Sequence, residues 1–559
     1  MNGIRHIVYA DISDRNFDVA VKDIYRWADG PNYGDLAFLR VTIMTAAVSY
    51  SELVAATDYS IQNILRRHPD LWVSRKGRDA FAKRMADLVT DRLQRSVAGW
   101  AFSQTGLHQL EDRTVFVAGD RLIGGEDLDF VVAPSAAQFH LKELASPPGK
   151  VAEELLKRLQ NNDAEVAAPV FAFGILTALQ SLVLECGIPL TSVLYVSGRS
   201  GLGKTETVKR FFAVYDQGDT GRPALITEAG STMAGFRENL RAARDLPVVL
   251  DDLCLSTGRD SQRKRLETGA QAIREASNKG AVRTKAGEHG ALPSTEAGVA
   301  ITAEFDMQTI SDVTRCIIVP LDYLMEGGQT DDRIIAAGAL SAFLEWFALR
   351  YEQEAQLLRE RYQAKTETER LDRLDTGLFC LRWAFDRFMR FSVETGAANE
   401  TGYGNVMDFF DQRLEILNRR QQQILDRIES AIPKASIPCL LWMGIQRKKI
   451  LVKRKLKKLE EGYAVIQGKE LFLPPGLAEQ FISARDGYQG ISRNRIGRAL
   501  KSAGVLVIHE SDNANTVKPA KGFHRVYHIR LDRLKEVALS ETGGDRFEGS
   551  TSAPAFGAF

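Results

Sequence analysis

Residues 198–209 read GRSGLGKTETVK and carry the pattern G-x-x-x-x-G-K-[ST] in full. Gly198, Gly201 and Gly203 let a backbone turn tightly and aim its N–H groups at phosphate oxygens. Lys204 has the reach and charge for the β- and γ-phosphates, and Thr205 offers a hydroxyl to Mg2+. The run Gly198, Arg199, Ser200, Gly201, Leu202, Gly203, Lys204, Thr205 and Glu206 is expected to wrap a nucleotide, so ATP and Mg2+ are the expected ligands. A chance match in a glycine-rich turn would lack the right flanks. Here the apolar SVLYVS precedes the loop and the helical TETVKRFFAVY follows it.

Hydrolysis needs a second acidic element. The run LPVVLDDL places Asp251 47 residues after Lys204 and Asp252 directly behind it. Both fall at the carboxyl end of an apolar run, the edge at which ligands bind in open α/β sheets. Asp251 is expected to help Thr205 hold Mg2+, and Asp252 to polarise the attacking water. The plainer alternative is an Asp pair that caps the next turn. Two further runs follow. GVAITAEFD ends at Glu304, where a polar group could sit beside a γ-phosphate. SDVTRCIIVPLD presents Arg315 just before another strand, where it could reach a neighbouring subunit's nucleotide, or else form an ordinary ion pair.

The positioning elements follow from composition and pattern. With 559 residues, 44% hydrophobic and 26% charged, the chain is long enough for several cores and ordinary in composition. Its +1 net charge hides local patterns. Cys186, Cys254, Cys316, Cys380 and Cys439 are scattered, so neither a zinc site nor a disulfide framework is expected and a cytoplasmic location fits. VAAPVFAFGILTALQSLVLECGIPL is interrupted by Pro169, Gln180 and Glu185 and is expected to be a buried helix rather than a membrane span. The apolar runs SVLYVS, LPVVLDD, GVAITAEF and RCIIVPLD do not alternate, as in strands buried on both faces of a parallel sheet. The expected organisation is a helical region over 1–95, a small β-rich region with linking helices over 96–188, and a parallel-sheet α/β phosphate-loop core over 189–325. A helical segment over 326–434, a winged helix over 435–538 and a disordered tail over 539–559 complete it.

In this order and span, the phosphate loop (Walker A), the Asp251-Asp252 pair (Walker B), the polar-tipped strand and the Arg-led strand resemble superfamily 3 and related AAA+ helicases. The layout is similar to replication helicases of bacterial phages, plasmids and genomic islands, with Gly99-Trp100, TVFVAGDRLIG and a C-terminal winged helix included in the likeness. Two departures stand out. Glu304 occupies the place where that family puts an Asn, and Asp252 is shorter by a methylene than the Glu of many relatives. The resemblance implies a ring, a hexamer by expectation, with Arg315 as an intersubunit arginine finger. It also implies a pore hairpin between Walker B and the sensor strand. REASNKGAVRTKAGEHGALPST lies there, and Arg283 and Lys285 would track a single strand.

At the C-terminal end, SRNRIGRALKSAGVLVIHESDNANTVKPAKGFHRVYHIRLDRL reads as helix, strand, polar turn, strand. Ile496, Leu500 and Ala503 keep helical spacing, and GVLVIHE is expected to pair with HRVYHIRL across a wing. Arg493, Arg495, Arg498 and Lys501 decorate the helix, while Lys518, Lys521 and Arg525 flank the wing, a clustering that suits duplex phosphates. The functional expectation is therefore an ATP-dependent DNA helicase or translocase acting in mobile-element replication. The alternative is an ATP-switched winged-helix regulator that binds DNA without unwinding it. No zinc-ribbon spacing or acidic triad supports a primase in the N-terminal region.

Overall fold

Five runs rich in Val, Ile and Leu form one sheet in the order Ile226–Glu228, Pro247–Leu253, Gly298–Ala303, Val193–Gly198 and Cys316–Leu321. Every neighbouring pair is parallel. Four of these are the runs named above, and the edge strand at 226–228 is a fifth. The sensor strand Gly298–Ala303 and the strand Cys316–Leu321 are buried at every position, which explains why their sequences do not alternate. Because all five run the same way, their carboxyl ends share one edge, and that edge holds the phosphate loop. The helix Ala164–Ala178 is buried from Val166 onward, and no single described helix is long and apolar enough to cross a membrane.

The structure is a computed structural model. It describes residues 14–30, 32–95, 99–228, 233–254, 259–278, 296–324, 328–329, 331–369, 371–430, 436–453, 462–485, 488, 491–507, 515–519 and 524–541. The chain divides into two units, Met1–Asp306 with Arg315–Asn418, and Met307–Thr314 with Arg419–Phe559.

The N-terminal region corrects the expectation of a helical 1–95. Phe17–Trp27, Leu36–Thr45 and Ser49–Ala55 are antiparallel strands, and among the described residues of this region only Ile61–Arg67 and Gly77–Arg95 are helices. Gly30 and Gly34, both at positive φ, turn the chain between the first two strands. Leu39, Val41 and Ile43 then point inward at a period of two, against Phe81, Met85 and Val89 of the second helix. The β-rich region is corrected as well. Gly99–Phe102 and Phe130–Val132 do not stay within the 96–188 region but extend the N-terminal sheet in parallel. Gly106–Gln109, Thr114–Ala118 and Arg121–Ile123 do form a small antiparallel sheet.

The helices Asp332–Ala348, Tyr351–Thr368, Arg373–Glu394 and Glu400–Ser430 follow the core strands. In the second unit, a sheet in the order Val452–Lys453, Ala464–Gln467, Glu470–Leu473 and Tyr527–Arg530 packs with the helices Ile437–Gln446, Pro475–Ser483, Arg493–Ser502 and Leu531–Glu541. Leu506 bridges Ile529 and Val517 bridges Val526, both antiparallel. The last helix takes in residues 539–541 of the expected tail, and residues 542–559 lie outside those described.

A buried polar joint ties the small antiparallel sheet to the core. Asp245, just before the strand 247–253, accepts from Ser181 N and Oγ at 2.7 Å and from Leu107 N at 3.0 Å. Burial pushes its carboxyl up to about 6 against the pull of Arg244. His108 Nε2 donates to Gln104 O at 3.1 Å while Nδ1 accepts from Arg244 at 3.1 Å, which fixes the neutral tautomer. Burial, then the Arg244 guanidinium, hold this imidazole down at about 3, although Asp29 lies 3.9 Å away. The two groups act with opposite sign. The stabilisation from neutral His108 is complete above pH 6.5 and is lost as pH falls toward 3, whereas that from protonated Asp245 is lost as pH rises through about 6. Comparing the wild type with His108→Gln, which keeps one donor and one acceptor, cancels the Asp245 effect. Between pH 6.5 and 4 the wild type should lose stability more steeply, by up to about 1.4 kcal/mol per pH unit. Thermal unfolding across that range checks this, and parallel pH profiles would refute it.

Candidate active site

The phosphate loop leaves the strand Val193–Gly198 and enters the helix Lys204–Phe211. Gly198 lies flush against the neighbouring strand, where a Cβ would collide with the Leu321 carbonyl. Gly203 caps the helix at φ 93, a left-handed conformation that glycine adopts without strain. Arg199, Ser200 and Gly201 are exposed, and Leu202 is half-buried. Lys204 is only 8% exposed, and its Nζ donates to Arg199 O at 2.8 Å, so the ammonium is held inside the loop. Glu206 faces outward and pairs with Lys209 at 3.1 Å.

Asp251 is where the loop meets the sheet edge. Its Oδ1 accepts from Thr205 Oγ1 at 2.8 Å and from Thr302 Oγ1 at 2.6 Å. Thr302 is fully buried on the sensor strand and also accepts from Asp252 N at 2.9 Å. The pairing explains this geometry. Leu250 pairs with Ile301 and Leu253 with Ala303, so Asp251 and Asp252 together oppose Thr302. This is a β-bulge, a device that re-aims side chains beside active sites. Asp252 sits at φ 66, which Asp tolerates better than most residues, and its side chain is exposed.

Glu304 follows the sensor strand, and its N–H donates to Leu253 O at 3.0 Å, which places it at the same edge. The next residue is anchored too. Tyr195, in the phosphate-loop strand, donates its hydroxyl to Phe305 O at 2.6 Å, and burial raises its pKa well above the usual tyrosine range. The structure therefore brings Lys204, Thr205, Asp251, Asp252 and Glu304 to one edge. It does not bring Arg315 there. Arg315 precedes Cys316, which pairs with Val193 at the opposite end of the strands, and it is 5% exposed. To serve as a finger at a neighbouring copy's nucleotide, Arg315 would have to leave this buried position.

Thr302 and Tyr195 escape the sequence patterns. The available signal for Thr302 was the single hydroxyl in the otherwise apolar GVAITA, and a hydroxyl buried in a strand requires a partner. Thr205 Oγ1 and Asp251 Oδ1 are hard oxygen donors 2.8 Å apart, a pair that suits Mg2+. Among the described residues no three His, Cys, Asp or Glu side chains converge as a ready-made metal cage. Mg2+ sites of this type take most of their remaining oxygens from nucleotide and water.

In the second unit, Arg495, Arg498 and Lys501 are exposed along the helix Arg493–Ser502, opposite buried Ile496 and Leu500. Arg493 is engaged by Glu479 at 2.7 Å, and Arg525 donates to Thr516 O at 3.0 Å. Arg283, Lys285 and Lys521 lie outside the described residues.

No family model and no curated protein matches the chain. Among solved structures it is similar to SCCmec type IV Cch, described as an active helicase, at 14% identity and a TM-score of 0.49 over 94% of each chain. The JCV helicase is similar at 13% identity and a TM-score of 0.20, over 40% of this chain and 69% of that one. The apo C-terminal region of NrS-1 is similar at 11% identity and a TM-score of 0.24, over 70% and 86%. None of these three exceeds a TM-score of 0.49 or 14% identity.

Thr302 orients Asp251 without needing to touch a nucleotide. Thr302→Val keeps its shape but removes the hydroxyl. Mg2+ affinity, read as the metal dependence of nucleotide binding, should weaken by about 10- to 100-fold. Thr302→Ser should restore it, and an unchanged Mg2+ titration for the Val variant would show that the contact is only structural.

Proposed function

We propose that this chain is an ATP-dependent DNA helicase or translocase serving the replication of a mobile genetic element. The observation that carries the reading is the shared Asp251 carboxylate, which joins the phosphate-loop hydroxyl of Thr205 to the sensor-strand hydroxyl of Thr302. A phosphate loop that only binds does not need an acid so fixed. In this reading Lys204 neutralises β- and γ-phosphate oxygens, and Thr205 with Asp251 holds Mg2+. The ion, when bound, supplies charge neutralisation across the phosphates. Asp252, exposed at the bulge, orients a water that attacks the γ-phosphorus. The bond to the β–γ bridging oxygen breaks, ADP leaves, and the water's proton passes through Asp252 to solvent. Glu304, at the same edge, senses the γ-phosphate in place of an Asn.

Ring closure, with six copies expected, would turn hydrolysis into directed movement. Arg315, at the end of the strands away from its own chain's loop, is the expected finger for a neighbouring copy's nucleotide and would have to leave its buried position to reach it. The exposed cations Arg495, Arg498 and Lys501 give the second unit a face for duplex phosphates and support a winged-helix contact. The same face suits the alternative of an ATP-switched regulator.

Hydrolysis assays separate the two. Lys204→Ala should lower ATP turnover by at least about a hundredfold. The wild type should hydrolyse faster with single-stranded DNA present and should displace a strand from a fork. Normal turnover in Lys204→Ala would sink the active site. Turnover indifferent to DNA, with no strand displacement, would instead leave the regulator.

A further inference from the structure

Residues 66–84, RRHPDLWVSRKGRDAFAKR, hold seven Lys or Arg against two Asp, in a chain whose net charge is only +1. Two of these cations are already used. Arg67 pairs with Glu52 and Asp58, and Arg84 pairs with Asp18. Arg75, Lys76, Arg78 and Lys83 are exposed and form no ion pair with a described residue. Asp70 and Asp79 are the acids within this stretch, and Asp14, just outside it, accepts from Ser74 Oγ at 2.8 Å.

In the middle stands Trp72, 49% exposed, the one large apolar side chain of the stretch that faces solvent. Its neighbours Leu71 and Val73 are buried, so the alternation of an extended segment turns the indole outward. The backbone is clamped in that pose. Trp72 N donates to Asn16 Oδ1 at 2.7 Å, Asn16 Nδ2 donates to Asp70 O at 2.9 Å, and Arg15 bridges Val73. An outward indole on a fixed backbone, followed within six residues by three unpaired cations, matches what single-stranded nucleic acid requires: a face for a base and charges for its phosphates. Duplex offers no free base face, and an anionic membrane would call for several apolar side chains rather than one.

We propose that residues 66–84 form a contact for single-stranded DNA, in which a base stacks on Trp72 and Arg75, Lys76 and Arg78 take the flanking phosphates. Only the choice of DNA over RNA rests on the proposed function; the single-strand chemistry rests on this surface alone.

The test uses the full chain without nucleotide and labelled (dT)20, with (rU)20, a duplex of equal length and anionic phosphatidylserine vesicles as parallel arms. Trp72→Ala should weaken (dT)20 binding by about tenfold or more, and Trp72→Phe should recover most of the loss. Arg75→Gln/Lys76→Gln/Arg78→Gln should lower the slope of log K against log salt by about 2. Both variants should keep wild-type thermal stability and DNA-independent ATP turnover, since none of these residues lies in the hydrolytic site. Should Trp72→Ala unfold, the surface triple variant decides alone. Unchanged (dT)20 affinity and salt slope would overturn the proposal, as would an equal effect of Trp72→Ala on duplex. Preferential binding of (rU)20 or vesicles that Trp72→Ala abolishes would replace DNA with that partner. Lys204→Ala should bind (dT)20 through this surface as the wild type does, so a failed ATPase reading and a failed surface give different results.

Discussion

One oxygen, Asp251 Oδ1, holds the site in register. It accepts from Thr205 on the phosphate loop and from Thr302 on the sensor strand, which lies between the acidic strand and the loop's own strand. The acidic strand therefore never touches the phosphate-loop strand directly, and the carboxylate reaches past its neighbour to make the connection. A regular ladder would leave one residue opposite Thr302. The bulge supplies two, so Asp251 is committed to the hydroxyls while Asp252 remains exposed. Asp252's positive φ is the local cost of that division.

The same strand is fixed at its other end. Asp245, two residues before Pro247, is buried with Ser181 and Leu107 on its carboxylate, and Arg244 spans His108 and Glu296. Like Asp252, Asp245 has a positive φ. The seven-residue strand thus has an irregular aspartate at each end, Asp245 just before it in the joint to the small antiparallel sheet and Asp252 near its carboxyl end. Leaving buried Asp245 or Thr302 unpaired would be expensive, so both ends resist sliding. Tyr195 adds a third tie by fixing Phe305 to the phosphate-loop strand.

What the sequence revealed tracks how local each feature is. The phosphate loop is a contiguous motif whose glycines and lysine act through neighbouring backbone, and it sits where the pattern placed it. Asp251 and Asp252 were legible because they end an apolar run. Thr302 was not, because its role depends on a contact made 51 residues away. The strands at 17–55 were read as helix because Ala, Leu and Val suit either period in so apolar a stretch. Gly30 and Gly34, which force the turn between two of them, were the stronger signal. Arg315 shows the limit of order along the chain. Its place before a strand was right, and in a parallel sheet that place already lies away from the phosphate-loop edge; what order does not give is how deeply the residue is buried.

The position of Arg315 also has a topological meaning. The chain leaves the first unit after Asp306 and returns to it at Arg315, and the eight residues Met307–Thr314 belong to the second unit. The outgoing crossing lies two residues beyond Glu304, and Arg315 is the first residue of the return. Glu304 and Phe305 are tied to the core by backbone bonds to Leu253 and from Tyr195. Val193 N likewise bonds Arg315 O at 2.8 Å on the return. Both ends of the excursion are therefore anchored to the strands that carry the phosphate loop and the acids.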